Sequence, residues 1–502
     1  MKENKYVGAI DQGTTGTRFI LFNKKGEIVS KSYEKHEQIY PKPGWVEHDP
    51  LEIWKNTQKV LKKSAKEIDV KKIDSIGVTN QRETTVVWDP KTGKPLYNAI
   101  VWQDTRTKEM CENLKERELD SVIKNKTGLR AHTYFSGTKL KWLLKNISDS
   151  KKRIKNNRLI FGNIDSWIIW NLTGGKEGGN HVTDYTNASR TMLMNIKSLE
   201  WDKELLEIFD IPSQILPEIR PSSDKTTYGK SINAPSKIQV PVCGNLGDQQ
   251  AALFGQTCFE KGDAKNTYGT GCFTLLNTGE EIPNFSEELI TTPAYGLSEG
   301  NCKYALEGSV PVAGAAIEWL INNLEIIDSP DETEELANSV DDNNGVYFVP
   351  AFSGLFAPKW DMSARGIIVG LTGSSNKNHI VRATLESIGF QTNDMLDAMK
   401  KNTGVSLKNL KVDGGIAEND FLLQFQADIS GNKIMRPKVS ETTALGAAYA
   451  AGLATGFWED LETLKENWKL DKKFKPTIDE DERKIKIKEW EKAVQRSRGW
   501  TD

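Results

Sequence analysis

Apolar and polar positions follow two rhythms along the chain. Short apolar runs, such as residues 6–10 and 238–242, are typical of buried strands, whereas longer stretches repeat their apolar residues at helical spacing. The two patterns alternate over the whole length, which favours an α/β fold over an all-helical or sandwich fold.

Two helices are predicted in detail. Asp49 resembles an N-cap, with Pro50 in the first turn and Glu52 completing a capping box. The face predicted to be buried carries Leu51, Trp54, Leu61, Ala65 and Ile68. The second helix carries apolar residues at helical spacing and ends at Gly404 in a left-handed cap; these residues are Val381, Leu385, Ile388, Met395 and Met399.

The longest uncharged helix-like stretch covers residues 442–458 and is rich in Ala and Gly. It falls short of the roughly 20 residues that span a bilayer, so it predicts a buried helix packed closely on neighbouring backbone. The first residues turn polar at Asp11 and lack the apolar core of a signal peptide. We therefore expect no membrane insertion.

Composition narrows the function classes. A chain of 502 residues usually forms two large domains with a cleft between them. Lys and Arg total 67 against 69 Asp and Glu, so the chain lacks the excess of positive charge that is typical of nucleic-acid-binding proteins. The 5 cysteines are widely spaced without a C-x-x-C pair, and the 5 histidines are scattered, so we expect neither a disulfide framework nor a zinc site. A reducing cytoplasm fits this pattern best.

A weak internal repeat relates the two halves. Residues 11–26 and 268–280 both read as a Gly/Thr-rich turn leading into a strand, and a shift of 254 residues places Phe19, Leu21 and Asn23 on Phe273, Leu275 and Asn277. The repeat predicts a duplicated domain, with a boundary near residues 255–262 and one hairpin from each half facing a common ligand.

The first hairpin has the composition of an anion site. The apolar strand ends at Asp11, and Gly13, Thr14, Thr15 and Gly16 follow. Backbone N–H groups and hydroxyls of such a turn can surround a phosphate. Asp11 is placed to hold magnesium, and Arg18 can neutralise negative charge on the group that is transferred. An ordinary hairpin turn is the alternative. The segment is not a P-loop.

Asp248 is the candidate general base. It follows the strand at residues 238–242 and precedes an Ala-rich helix, where a carboxylate can accept a proton from a substrate hydroxyl. The alternative is that Asp248 is simply the N-cap of this helix.

The charged pair Arg82 and Glu83 lies between two apolar segments. Together they can donate to and accept from neighbouring hydroxyls, as a polyol requires, and Trp102 and Tyr134 can form aromatic walls. Taken singly, these residues are more often surface charges and core aromatics. Residues 412–420, VDGGIAEND, could let an adenine or ribose lie against backbone with Asn419 bonding to it, or could equally form a hairpin turn.

In this order along the chain, the segments resemble the FGGY carbohydrate kinases, of the actin, Hsp70 and hexokinase fold superfamily. The resemblance runs from DQGTT to TALGAAYAAGLATGFW. Its most specific stretches are YPKPGWVEHDP, NQRETT, DYTNASRTML, GDQQAALFGQ, KNTYGTGC and DGG.

The resemblance implies two ribonuclease-H-like domains flanking a deep cleft: residues 1–255 with the polyol site and first phosphate hairpin, and residues 256–502 with the nucleotide site. It implies transfer of the γ-phosphoryl group of ATP to glycerol with Mg²⁺, in a cytoplasmic homodimer or homotetramer.

Site residues are implied by the same resemblance. Those expected to hold glycerol are Arg82, Glu83, Trp102, Tyr134, Asp248, Gln249 and Phe273. Those expected to hold the nucleotide are Thr14, Thr15, Gly16, Arg18, Thr270, Gly314, Glu318, Gly415 and Asn419. Magnesium is expected at Asp11 and Asp248. Two positions depart from the family pattern: Phe356 replaces a Gly in a loop expected near the cleft, and Glu318 stands where many members have Gln.

Two other functions are compatible with parts of this pattern. A kinase of the same family could act on a pentulose or another polyol, although a longer sugar needs a roomier pocket than Arg82, Glu83 and two aromatic walls provide. A nucleotide-driven switch of the actin or chaperone kind would leave the cluster around Arg82 without a role.

Overall fold

The computed structural model describes residues 5–226 and 228–501. Within them the strands are β1 (Tyr6–Gln12), β2 (Gly16–Phe22), β3 (Ile28–Lys35), β4 (Glu47–His48), β5 (Ile73–Asn80), β6 (Thr85–Asp89), β7 (Lys94–Pro95), β8 (Ala99–Ile100), β9 (Ile160–Asn163), β10 (Val182–Asp184), β11 (Met194–Asn195), β12 (Glu200–Trp201), β13 (Glu218–Arg220), β14 (Gly229–Lys230), β15 (Pro241–Gly247), β16 (Asp263–Tyr268), β17 (Cys272–Gly279), β18 (Ile290–Ser298), β19 (Asn301–Val310), β20 (Tyr347–Val349), β21 (Ile367–Val369), β22 (Asn409–Asp413), β23 (Ile434–Pro437) and β24 (Leu470–Phe474).

The α-helices are α1 (Pro50–Ser64), α2 (Lys108–Glu116), α3 (Asp120–Thr127), α4 (Ser136–Asn146), α5 (Ser150–Lys155), α6 (Ile164–Leu172), α7 (Tyr185–Ala188), α8 (Lys203–Phe209), α9 (Asp248–Gly255), α10 (Gly314–Asn322), α11 (Glu332–Asn338), α12 (Lys377–Thr403), α13 (Asp420–Ser430), α14 (Thr442–Thr455), α15 (Leu461–Asn467) and α16 (Glu480–Ser497).

Two large mixed sheets repeat one topology. The first has the order β14-β15-β5-β1-β2-β3, and the second, read from its other edge, β24-β23-β22-β16-β17-β19-β18. In each sheet an antiparallel hairpin, β1-β2 or β16-β17, continues into two further strands that run parallel to its first strand. An antiparallel strand, β14 or β24, then forms the edge of the sheet. The predicted α/β fold with two ribonuclease-H-like halves is confirmed.

The residues used to detect the repeat are not structurally equivalent. The pair nearest the turn is Gln12 with Thr17 in the first hairpin and Tyr268 with Cys272 in the second. Counted from these pairs, Phe19 corresponds to the neighbour of Phe273. The first turn is one residue longer, so the predicted alignment is displaced by one position although the duplication of topology is real.

Helix α14 belongs in sequence to the second half but packs on the first sheet. Its Ala and Gly residues are buried against β1, β5, β15 and α9. A Cβ at Gly446 would lie 1.8 Å from the carbonyl oxygen of Ala251, and one at Gly77 would lie 2.0 Å from that of Ala447. The predicted close packing of this helix on backbone is confirmed.

The predicted helices α1 and α12 are both present; α1 buries most of its predicted face, whereas α12 buries the whole of its own. All five of its apolar positions are buried, and it ends at Gly404 with a φ of 65°. In α1, Asp49 caps the helix at the amide of Leu51, which is itself exposed. Of the other predicted positions, Leu61 is buried and Trp54 packs against the core, which Ile53 and Val60 also enter. Glu52 accepts from the backbone of Glu37, so the predicted capping box does not form.

Among the described residues, no helix combines the length and apolar character needed to traverse a bilayer.

Candidate active site

The ends of three parallel strands bring the predicted chemical groups to one edge of the first sheet. Strand β5 is central, and its residue Thr79 pairs with Asp11 of β1 on one side and with Leu246 of β15 on the other. Arg82 follows β5, and Asp248 follows β15. The carboxyl ends of parallel strands share an edge, so Asp11, Arg82 and Asp248 meet there.

Asp248 is the first residue of α9 and not its N-cap, which is Gly247. Its Oδ1 atom accepts from the amide of Gln249 at 2.7 Å and lies 3.1 Å from Nε of Arg82. Its side chain keeps 31% exposure, the largest of the charged groups around Arg82. Burial raises the pKa of Asp248 to about 6, despite the opposing charge of Arg82. The carboxylate can therefore exchange a proton near neutral pH.

Every donor of the Arg82 guanidinium faces a protein group. Nη1 and Nη2 donate to the two carboxylate oxygens of Glu307 at 2.5 and 3.1 Å. Nη1 also donates to Gln250 at 3.2 Å and Nη2 to the hydroxyl of Tyr134 at 3.1 Å. Nε faces Asp248. The edge toward Glu307 is thus fixed by a bidentate pair, and the other edge faces Tyr134 and the partly exposed carboxylate of Asp248.

Glu83 and the aromatic residues lie on that same side. Oε1 of Glu83 accepts from Arg190 at 2.7 Å, whereas Oε2 has no hydrogen-bond partner among the described residues. The indole of Trp102 lies edge-on to the ring of Tyr134, with centroids 5.6 Å apart. A free carboxylate oxygen beside two aromatic walls suits a small polyol.

Two site residues, Glu307 and Arg190, were not predicted from the sequence. Both side chains are at most 1% exposed, and Arg190 donates to Glu307 at 3.0 Å. Burial alone would raise the pKa of Glu307, but the guanidinium groups of Arg190 and Arg82 lower it to about 2. Arg190 lies within the stretch DYTNASRTML, whose specificity was the one signal that could have identified it.

Lys265 is a third residue that sequence reasoning missed. It lies on β16, is fully buried, and its ammonium donates to Oε1 of Gln249 and, at 3.0 Å, to Thr267. Burial lowers its pKa to about 8. Because the ammonium occupies the oxygen of Gln249, the amide nitrogen of that residue remains as the donor for a ligand.

The first hairpin contacts the predicted polyol site through Thr14. Its hydroxyl accepts from the indole nitrogen of Trp102 at 2.9 Å. Thr15 is exposed at the tip, and a Cβ at Gly16 would lie 2.5 Å from the carbonyl oxygen of Glu34. The predicted phosphate turn and the predicted polyol wall are therefore hydrogen-bonded neighbours.

Asp11 and Asp248 suit a magnesium ion that keeps most of its water. Arg18 donates to Oδ2 of Asp11 at 3.1 Å, while Oδ1 has no bonded partner among the described residues. Burial raises the pKa of Asp11 despite Arg18. The described chain has no group of three or more metal-binding side chains. Asp11 lies on β1 and Asp248 directly follows β15, with only β5 between these two strands; two such carboxylates can hold a hydrated ion together with phosphate oxygens, which is how Mg²⁺ is commonly bound.

The second hairpin is fixed to the start of α10. The carbonyl oxygen of Thr270 accepts from the amides of Ala313 and Ala315 at 2.9 and 3.1 Å, and the amide of Gly314 donates to Gly269 at 3.0 Å. The side chain of Thr270 is exposed. The structure thus brings Thr270 and Gly314 together.

Gly415 begins a short 3-10 turn after β22, Gly415–Glu418, and Asn419 directly follows it. Gly415 is exposed, and a Cβ there would meet open space. Asn419 accepts from the amide of Leu422 at 2.9 Å as the N-cap of α13 and donates to Thr333 at 3.1 Å. Only one of its amide hydrogens remains for a ligand.

Three further residues were singled out from the sequence, Phe273, Glu318 and Phe356, and within the described chain none of them forms a hydrogen bond or ion pair with the side chain of Arg82. Phe273 is partly buried on β17, where it pairs with Thr267. Glu318 is exposed on α10 and accepts a hydrogen bond from Asn322 of its own helix. Phe356 faces a small cavity lined by residues outside the predicted site, among them Val310, Gln391, Asp394 and Trp490.

Comparison with known proteins follows the division into two sheets. Residues 6–255 match the N-terminal domain of the FGGY family of carbohydrate kinases, and residues 264–455 match its C-terminal domain. The chain is 54% identical to glycerol kinase of Caldanaerobacter subterraneus subsp. tengcongensis over 500 residues, 99% of both chains. It is 55% identical to glycerol kinase of Petrotoga mobilis, with the same coverage.

Solved structures are similar over the same length. Plasmodium falciparum glycerol kinase with ADP is 42% identical, with a TM-score of 0.92 and 98% of both chains covered. Ligand-bound xylulose kinase from Lactobacillus acidophilus is 27% identical, with a TM-score of 0.85 and coverage of 98% and 97%.

Proposed function

Because the chain belongs to the FGGY family of carbohydrate kinases, we propose that Asp248 is the general base with which it phosphorylates its acceptor. The reaction is transfer of the γ-phosphoryl group of ATP to glycerol, giving sn-glycerol 3-phosphate and ADP. The observation that carries the role of Asp248 is its position: a partly exposed carboxylate of raised pKa, 3.1 Å from Arg82 at the edge where three parallel strands end.

In the proposed mechanism, the glycerol hydroxyls are held by Arg82, Glu83, Tyr134, Asp248 and the amide nitrogen of Gln249. Trp102 and Phe273 pack against the glycerol carbons. A carboxylate oxygen of Asp248 accepts the proton of a terminal hydroxyl of glycerol, while the hydroxyl oxygen bonds to the γ-phosphorus of ATP. The bond from the γ-phosphorus to the oxygen that bridges it to ADP breaks, and ADP leaves. Catalysis by such enzymes rests on positioning, because the phosphoryl group needs little covalent help.

The nucleotide is assigned to both hairpins. Thr14, Thr15, Gly16, Arg18 and Thr270 bind its phosphates, while Gly314, Glu318, Gly415 and Asn419 line the remainder of its site. A magnesium ion held by Asp11 and Asp248, largely through water, supplies positive charge to the phosphates when bound.

The wider assignment is a cytoplasmic homodimer or homotetramer with domains 1–255 and 256–502. Free, buried cysteines in all five positions suit a reducing compartment.

The test is ADP release from ATP and Mg²⁺ with glycerol, a pentulose or no acceptor, using the intact chain and Asp248→Asn. We expect glycerol-dependent turnover that falls by about 10²–10⁴-fold in the variant, the usual contribution of a general base, with ATP binding retained. Asp202→Asn is a matched control, because Asp202 is an ion-paired carboxylate at the start of α8 and Asn can still cap that helix.

Near-normal turnover of Asp248→Asn would remove Asp248 as the base. Turnover with the pentulose alone would reassign the acceptor within the family. Hydrolysis of ATP at the same rate without any acceptor would favour a nucleotide-driven switch.

A further inference from the structure

We infer that Arg190 is a positioning residue that sets the acceptor specificity of the site through Glu83 and Glu307. The inference rests on the proposed function, because Arg82 and Glu83 are taken as the groups that hold the polyol. Arg190 lies in the 3-10 turn Ser189–Thr191, directly after α7, and its side chain is fully buried.

Four buried charges form a closed ring. Arg82 grips both oxygens of Glu307, Arg190 donates to Glu307 at 3.0 Å and to Glu83 at 2.7 Å, and Oε1 of Glu83 lies 3.5 Å from Nε of Arg82. None of the four side chains is more than 2% exposed. Two positive and two negative charges balance, so the ring needs no counter-ion from solvent.

The ring decides which atoms remain for the ligand. Arg190 occupies Oε1 of Glu83 and leaves Oε2 without a partner among the described residues. Arg190 also bonds to Glu307, which in turn fixes one edge of the Arg82 guanidinium. The other edge of Arg82 therefore faces Tyr134 and Asp248. The unpaired oxygen of Glu83 and the two groups that Arg82 positions, Tyr134 and Asp248, are thereby held in a single relative orientation.

The planar fork of arginine is required for this arrangement. Nε and Nη2 of Arg190 bond to two different carboxylates at once. Within the described part of the chain Nη1 has no hydrogen-bond partner, and the guanidinium carbon lies 5.2 Å from the ring centroid of Phe135 and 5.6 Å from that of Tyr134. A lysine ammonium is a point charge on a flexible stem and cannot reproduce both bonds in fixed geometry.

The ring also joins the two halves of the chain. Glu307 lies on β19 of the second sheet, whereas Arg82, Glu83 and Arg190 belong to the first half. Glu307 of the second half therefore bonds directly to Arg82, and through Arg190 to Glu83, the two groups predicted to bind the acceptor.

The experiment measures kcat and KM for glycerol, 1,2-propanediol, 1,3-propanediol and ATP with the intact chain, Arg190→Lys and the control Arg382→Lys. Arg382 is a suitable control because it bonds to Glu386 and to two carbonyl oxygens beside α11, among residues with no assigned contact to the acceptor. Thermal unfolding of each variant reports on its stability.

For Arg190→Lys we expect kcat/KM for glycerol to fall by more than that for either diol, lowering the preference for glycerol about tenfold, with KM for ATP changed less than about twofold. Loss of a hydroxyl contact discriminates between these acceptors, whereas general destabilisation reduces all of them together. Arg382→Lys should keep the preference of the intact chain.

Should Arg190→Lys fail to fold, Glu307→Gln tests the same ring with an isosteric change and should lower the preference in the same direction. An unchanged preference in a folded variant, with intact-chain turnover of glycerol normal, would overturn the positioning role alone. Absence of glycerol turnover in the intact chain would overturn the proposed function and this inference with it.

Discussion

The carboxylate of Asp248 lies 3.1 Å from Nε of Arg82, and both groups approach the same place from the ends of strands that flank each other in one sheet. The contact places the residue proposed to take a proton beside a permanent positive charge. Burial nevertheless dominates, and the pKa of Asp248 is raised to about 6. Its charge state therefore changes within the range in which enzyme activity is ordinarily measured.

The first prediction concerns the acid side of the pH profile. A base must be deprotonated to act, so kcat/KM for glycerol should be low below pH about 6 and rise to a plateau above it. The measurement is kcat/KM between pH 5 and 8 at fixed ionic strength. An ordinary carboxylate pKa near 4 would move the limb out of this range and contradict the proposed environment of Asp248.

The second prediction concerns the alkaline side. Deprotonation of Lys265, whose pKa is about 8, removes the charge that strengthens its bond to Gln249, so kcat/KM should fall above that pH. Lys265→Arg keeps the positive charge at all accessible pH values, so the fall in kcat/KM should move to a higher pH. Lys139→Arg is the matched comparison, because Lys139 is equally buried with a pKa of about 8 but donates to backbone carbonyls of Tyr134 and Phe135. A limb that moves only in Lys139→Arg would contradict the assignment.

The third prediction tests the link between the first hairpin and the acceptor wall. Trp102→Phe keeps the aromatic face but loses the bond to Thr14. A net loss of about 1 kcal/mol should raise the KM values for glycerol and ATP together, by up to about fivefold. Trp142→Phe, which alters a residue held by ring contacts with Trp45 and Tyr97, should leave both values unchanged. An effect on one substrate alone would show that the bond does not couple the sites.

The fourth prediction concerns magnesium. Chelation should abolish turnover, and Asp11→Asn should raise the Mg²⁺ concentration for half-maximal activity about tenfold, as expected for loss of a group that orients a metal's water ligands. The measurement is a Mg²⁺ titration at saturating ATP and glycerol. If only KM for ATP changes, Asp11 acts solely as the partner of Arg18.

The fifth prediction concerns stability. Gly446→Ala places a methyl group 1.8 Å from the carbonyl oxygen of Ala251, and we expect the free energy of unfolding in urea to fall by about 1–3 kcal/mol or more. Gly373→Ala, where a Cβ meets open space, should change it by less than about 0.5 kcal/mol. Equal effects would mean that α14 can move away from α9 at little cost.

The sequence predicted those parts of the fold that depend on local pattern. The apolar positions of α12 and its end at Gly404 were found because they follow one spacing over many residues. The buried face of α1 was predicted only in part, because polar residues share it: Asn56 donates to the carbonyl of Lys35, and Thr57 to that of Ile53. A rule that counts only apolar residues does not detect polar groups satisfied inside the core.

The site shows a similar division. Asp248, Arg82 and Glu83 were predicted because each follows an apolar strand, where local pattern and strand topology coincide. Arg190 was missed because it bonds to Glu83 and Glu307 at separations of 107 and 117 residues, which no local pattern records. Lys265 and Glu307 are single charges inside strands. Such charges indicate a buried partner but do not identify it.

The crossing of α14 onto the first sheet has a consequence for how the chain is made. Strand β5 ends at residue 80, but the helix that covers its inner face begins at residue 442. At synthesis rates of roughly 5–20 residues per second, about 20–70 seconds separate their exit from the ribosome. During that interval the apolar face of the first sheet is open to other nascent chains or to chaperones. Translation that stops before α14 should therefore yield an aggregation-prone polypeptide, even where the whole first half has already been synthesised.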